Sequence, residues 1–312
     1  MNNRMGYELR NDEALGESIR RICRAQVMRG IEIANGSRET DDTPVHEIRK
    51  HLKKARAALR LVRKEIGRTL FRQQDHWIRD VARLVSEVRD AEVRLQTVRE
   101  LQSIKRRRGR ALYGRLEQML ALELDNFVAG FAEWQIQAKP LLEQTRDAVD
   151  NWPVQQFDCR QLRRAVQTSY KKARRCLTEA RRNPSPKAFH DFRTQAKVLA
   201  HQLRILRPIN PVVLKNLGDE LGSVGDLLGR AHDLTFLGER LHRDDGQSAW
   251  KREGQRLLAV LEVSQNDLQR AAADLAERFF AERPRNFGAR LDTWLDEWMA
   301  ASTQSVAEEL VS

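Results

Sequence analysis

The chain has 312 residues, with 56 Lys plus Arg against 44 Asp plus Glu and a net charge of +12. With 41% apolar residues, 32% charged residues and only eight Pro, the composition excludes wholesale disorder and argues against an all-β fold. There is no run of about eighteen apolar residues and no apolar leader, so neither a transmembrane helix nor a secretory signal is expected; Cys23, Cys159 and Cys176, odd in number and without a CxxC, fit a reducing, cytoplasmic compartment better than a disulfide framework or a zinc site.

In chain order the sequence reads as helix after helix. Apolar residues recur at three- and four-residue steps, and breaks fall at Asn35-Gly36-Ser37, Gly67, Lys105–Gly109, Asn151-Trp152-Pro153, Asn183–Pro186, Pro208–Pro211, Asp244–Gly246 and Pro284. These delimit about eight main helices and a C-terminal one. The helix before Asn35 carries Arg20, Arg21 and Arg24. The next opens at Thr43-Pro44, a hydroxyl cap before a proline at the first helical position. Along it Val45, Ile48, Leu52, Ala55, Leu59, Val62 and Ile66 form an apolar seam. One residue round, about 100° of rotation, His46, Arg49, Lys53, Arg56, Arg60 and Arg63 form a basic stripe about 26 Å long.

Residues 158–182 hold nine basic residues against Asp158 and Glu179, among them Arg163, Arg164, Lys171, Lys172 and Arg174. Arg174 and Arg175 are adjacent on a helix, so this set cannot all face one way. The following helix opens at Ser185-Pro186 and repeats the earlier design. Its seam is Phe189, Phe192, Ala196, Leu199, Leu203 and Leu206, and its stripe is His190, Arg193, Lys197, Arg204 and Arg207, with Ala200 as a gap. Like charges at these spacings repel by a few tenths of a kcal/mol per pair, and ordinary surface helices interleave acids to avoid this. Neither stripe holds an acid. From Trp250 onward the balance reverses, with eight basic and eleven acidic residues, so the charge excess lies in the first 249 residues.

The stripes are offset by 144 residues; Val88-Arg89-Asp90 and Ala231-His232-Asp233 are offset by 143, as are Ile19-Arg20-Arg21 and Leu162-Arg163-Arg164. Constant spacing predicts a duplicated unit. The expected fold is all-α: two four-helix bundles, residues 1–150 and 151–282, related by an internal pseudo-twofold repeat, with a helical extension over 283–312. If the related helices face each other, their stripes line one groove. Asp90 and Asp233 then either orient Arg or His side chains from behind it or form ordinary helix-surface salt bridges. Tyr170 is either a phosphate ligand or a tyrosine at the edge of the core.

VHEIRKHLKKARAALRLV at 45–62, FHDFRTQAKVLAHQLRIL at 189–206, Arg89-Asp90 and LLGRAHDLTFL at 227–237 together resemble the CHAD domain, the conserved histidine α-helical domain, over about residues 10–282. The resemblance implies two related four-helix bundles and a basic central surface that binds inorganic polyphosphate, in the cytoplasm and associated with polyphosphate granules. Without an ExExK signature the chain looks like a stand-alone form. His232, where the first repeat has Arg89, and the gap at Ala200 depart from strict duplication.

Polyphosphate is a linear polyanion without bases, so it calls for rows of Lys and Arg and no aromatic platform. His46 and His190 can donate to phosphate, more strongly when protonated. Sequence-independent nucleic-acid binding is the first alternative, and it also fits the charge. A polyphosphate-processing phosphohydrolase is the second. No P-loop, HExxH, GxSxG or RHG motif occurs, and no nucleophile–base pair is evident, so catalysis is not expected. One Glu-x-x-His, Glu239–His242, is too little for a bundle metal site. No cofactor or metal is assigned. The acidic segment Phe287–Leu310, with Leu291, Trp294, Leu295, Trp298 and Met299 on one side, is expected to pack on its own bundle rather than a membrane.

Overall fold

The computed structural model describes residues 5–37, 42–104, 110–130, 133–243 and 251–309. The expected breaks at Lys105–Gly109 and Asp244–Gly246 lie outside them. The described residues form eleven α-helices, two short 3-10 turns and no strand: α1 (Leu15–Ala34), α2 (Pro44–Leu61), α3 (Arg68–Leu84), α4 (Ser86–Ile104), α5 (Arg110–Ala129), α6 (Trp134–Asp150), α7 (Cys159–Arg182), α8 (Pro186–Ile205), α9 (Pro211–Arg243), α10 (Lys251–Phe279) and α11 (Pro284–Glu309). The all-α expectation holds. Among these residues no helix is long and apolar enough to cross a membrane.

The caps behave as their chemistry requires. Thr43 Oγ1 accepts from the His46 N–H at 3.3 Å, and Ser185 Oγ accepts from the Ala188 N–H at 3.2 Å. Asp158 and Gln161 form a reciprocal capping box on α7. Two helices arise where the sequence reading has one continuous element. The stretch 68–104 breaks at Val85, where the Ser86 hydroxyl donates to Arg83 O at 2.7 Å and competes with the helical ladder. A second break separates α5 from α6. Residues 1–150 therefore carry six α-helices rather than four.

The break at Val85 matters for the packing. α1, α2, α3 and α6 pack together, whereas α4 crosses to α9, and α5 follows α4. A small apolar cluster accordingly joins Leu95, Val98, Leu116 and Leu120 to Leu234, Leu237, Leu257 and Leu261. α7, α8, α9 and α10 pack each on the next, and α11 lies on α7. Its Phe287, Leu291 and Leu295 are buried, while Met299 stays exposed. Tyr170 is a core residue: it stacks on Phe287 with centroids 4.3 Å apart, and its hydroxyl donates to Glu282 O at 2.9 Å.

α2 and α8 meet at the centre. Every residue of the α2 seam is buried, and each large side chain contributes about 1.5–3 kcal/mol. Ala57, Ala58 and Ala200 are buried as well, and Gln202 Nε2 donates to Ala57 O at 3.2 Å. Small residues thus let the two helices approach closely, which accounts for the alanine that interrupts the second stripe. Tyr7 bridges the same pair of helices: its hydroxyl donates to Lys54 O, and the neighbouring Leu9 N–H donates to Ile205 O.

Candidate functional site

A cavity of about 420 Å3 opens between α2, α4, α8 and α9. α2 contributes His46, Arg49, Lys50 and Lys53, all on the turns that follow the Thr43 cap. α4 contributes Arg89 and Asp90, and α8 contributes Arg193, Lys197 and His201. α9 adds Asp226, Arg230, His232 and Asp233. Seven cations therefore face three carboxylates. Arg49 and Arg193, Lys53 and Lys197, and Asp90 and Asp233 come from positions 143 or 144 residues apart, and all six line this one space.

Most of these cations lack full compensation. Lys53 is pushed down to about 7, first by the protein crowding its ammonium and then by Arg193, Arg49, Lys197 and Arg89. Burial lowers Arg49, with Arg89 and Arg193 adding to it and Asp90 opposing. Arg193 is lowered by burial against the pull of Asp233 and Asp226, and its Nε is buried without a hydrogen-bond partner. Lys197 is likewise lowered by burial and Arg193, although its Nζ lies 3.3 Å from Asp226 Oδ1.

Burial raises both Asp90 and Asp233, against the neighbouring arginines. Each carboxylate thus sits among cations from more than one helix. Arg89 is anchored by Glu92 at 3.1 Å, and the same carboxylate accepts from Thr43 Oγ1, tying α4 to the cap of α2. Burial and the surrounding cations hold His232 down at about 4 and His201 at about 3. His46 is also lowered, by burial and Arg89, with Asp42 opposing at 3.6 Å.

α9 makes room for the α8 stripe. Gly218, Gly222, Gly225 and Gly229 recur at four- and three-residue steps, and long side chains lie over them. A Cβ on Gly225 would come 2.9 Å from Lys197 Cε, and one on Gly229 would come 3.3 Å from Arg193 Nη2. Gly225→Ala is expected to displace Lys197 and weaken ligand binding three- to tenfold. The melting temperature should stay level or rise, because alanine is better than glycine in a helix by about 1 kcal/mol. Calorimetry and ligand titration on the same variant check both; unchanged affinity would remove this role for Gly225.

The other predicted residues go elsewhere. Beyond Lys53, the α2 stripe turns toward α3: Arg56 holds Asp75 through bonds of 2.7 and 3.2 Å, and Arg63 lies over the Phe71 ring at 4.8 Å. Burial and Arg56 push Arg60 down to about 10. His190 is exposed and sits beside the cavity, its ring 5.3 Å from His232. Arg204 runs along Gly218 and Gly222. Arg207 pairs with Glu8, Arg20 with Glu17, Arg21 with Glu13, Arg24 with Asp150 and Arg163 with Asp292. Lys171 faces solvent, and Arg174 lines a separate shallow hollow with Arg181 and Arg182.

Lys50, Arg89, Arg230, His201 and His232 join the site although the stripes alone did not select them. His201 follows Lys197 by four residues and Lys50 follows His46 by four, so helical spacing carried a signal for both. Among the described residues no group of three or more His, Cys, Asp or Glu is arranged to hold a metal ion, and His242 is exposed.

Comparison with known proteins bears on the same helices. The CHAD domain family model matches residues 31–242. The fold is similar to that of PptA from Streptomyces chartreusis, with a TM-score of 0.65 and 15% identity over 86% of this chain and 99% of that one. It is also similar to the CHAD domain from the plant Ricinus communis, with a TM-score of 0.58 and 17% identity over 89% of this chain and 95% of that one. No curated protein matches the chain in sequence.

Proposed function

The chain belongs to the CHAD domain family, and from that footing we propose that it binds inorganic polyphosphate in the cavity between α2, α4, α8 and α9. The observation that carries this reading is the convergence of seven cations on three carboxylates, with burial and mutual repulsion lowering several of them. A polyanion relieves that repulsion. Arg49, Arg89 and Arg193 offer planar forks to phosphate oxygens, and Lys53 and Lys197 offer point charges. The space suits a strand one phosphate wide, whereas a nucleic-acid duplex is too broad to enter a cavity of about 420 Å3.

The matched pairs at offsets 143 and 144 belong to the same proposal: a unit duplicated across residues 1–150 and 151–282, its two stripes serving one ligand. Binding without turnover, in the cytoplasm and at polyphosphate granules, is the activity proposed. A mobility shift with long-chain polyphosphate, competed by RNA and DNA at equal phosphate concentration, tests it. Polyphosphate should stay bound, with affinity falling steeply as salt rises. Displacement by nucleic acid would overturn the specificity, and phosphate release with Mg2+ would overturn the absence of turnover.

A further inference from the structure

We propose that the cavity is a chain-end site: a polyphosphate strand runs in from the Arg204 side and stops, terminal phosphate first, against carboxylates of α4 and α9. This rests on the polyphosphate reading above. α9 supplies the ruler. Along it lie Gly222 under Arg204, Gly225 under Lys197, Gly229 under Arg193, then Asp233, Phe236 and Glu239. At 1.5 Å per residue, Gly222 and Glu239 are about 26 Å apart. The charge changes sign over that distance.

At the glycine end the cations continue past the cavity. Arg204 lies along Gly218 and Gly222, one step beyond Lys197 over Gly225, so the basic row extends past Lys197. At the other end a second hollow, of about 270 Å3, shares Asp90 and Phe236 with the first. Its remaining charged groups are Glu87, Glu123, Glu239, Arg94 and Arg240. Both arginines contact Glu123, Arg240 through Nε at 2.8 Å, and with Asp90 the hollow counts four carboxylates against two arginines, so its sign is negative. An internal phosphate that continued into this hollow would meet carboxylates with no proton to share.

A terminal phosphate differs in chemistry. It alone has a second ionisable oxygen, with a pKa near 6 in phosphate monoesters, and so can present a P–OH. That hydroxyl can donate to Asp90 or Asp233 while the other oxygens stay on Arg49, Arg89 and Arg193. Both carboxyls are raised by burial, in keeping with a place where a proton is shared. The acidic wall thus rejects continuation and accepts an end.

Stoichiometry decides the matter. The intact protein is titrated with size-fractionated short, medium and long polyphosphate, and the complexes are weighed by light scattering. A linear chain has two ends, so saturation is expected at no more than two proteins per chain at every length. A ratio that grows in proportion to length overturns the chain-end reading while leaving polyphosphate binding intact; no complex at any length overturns both. As a second measurement, chains whose terminal phosphates are blocked as phosphoramidates should bind at least tenfold more weakly, and equal affinity overturns the proposal.

Discussion

Replacing Arg49 and Arg193 together by alanine is expected to weaken polyphosphate binding about a thousandfold and leave the helical fold intact. The two side chains come from the two helices that meet at the centre, and both line the cavity. A hydrogen bond to a charged group contributes about 1.5–3 kcal/mol, so two such forks correspond to about two to four orders of magnitude in affinity. Arg49 also donates to Ala82 O at 3.2 Å, a contact between α2 and α3 whose loss costs about 1 kcal/mol of stability. Arg49→Lys with Arg193→Lys is expected to fall between the wild type and the double alanine, because charge is kept and the bidentate fork is lost. Isothermal titration with a defined polyphosphate, alongside circular dichroism, gives both readouts. Wild-type affinity in the double alanine protein would place the ligand elsewhere on the surface.

The second large effect is on pH. Lys53 is held at about 7 in the free protein, against an ordinary value of 10.5. Phosphates beside it favour the ammonium and return it toward that ordinary value. Below pH 7 the free protein already carries the charge and affinity is at its highest. Above pH 7 the complex must take up a proton, so affinity falls by up to tenfold per pH unit until the bound-state value is passed.

The groups around Lys53 do not reverse the sign. Arg49 on α2 and Arg193 on α8 each lower Lys53 further, in the same sense as its burial. Lys197 on α8, itself lowered, adds to the same trend. His201 on α8 and His232 on α9 are neutral across this range.

Stability moves the opposite way. The unfolded chain binds the Lys53 proton more tightly than the folded one, so between pH 7 and 10.5 the free protein gains stability as pH rises. Lys53→Arg should flatten the affinity profile, and Lys53→Met should lower affinity and raise the melting temperature. Titrations and melts from pH 6 to 9, with proton uptake measured in buffers of different ionisation enthalpy, check the set. An affinity independent of pH would dismiss Lys53 as the titrating group.

Much of this was legible in the sequence because it depends on local chemistry. Thr43-Pro44 and Ser185-Pro186 each open a helix with the expected cap, and the seven-residue seam is buried throughout, although α2 itself ends at Leu61, before Val62 and Ile66. The acid-free stripes marked Arg49, Lys53, Arg193 and Lys197, which share the cavity. What stayed hidden depends on neighbours. Spacing puts Arg56, Arg60 and Arg63 in line with Lys53, but α3 packs along that half of α2 and takes them, Arg56 onto Asp75. Tyr170 has a polar end and an apolar body, and only the packing of α11 makes it a core residue. The break at Val85 falls beside Ser86 with no Gly or Pro to mark it, yet it sends α4 across to α9 and brings Arg89 and Asp90 to the site.

The glycines of α9 carry a further consequence. Each surrenders about 1 kcal/mol of helical preference relative to alanine, so the five of them leave α9 a poor helix by itself. Its 33 residues hold their shape because α8, α10 and α4 press on them. The wall that admits the cations therefore exists only once the rest of the molecule has assembled around it. Recognition here is a property of the whole chain, which no excised helix, and no pair of helices, would reproduce.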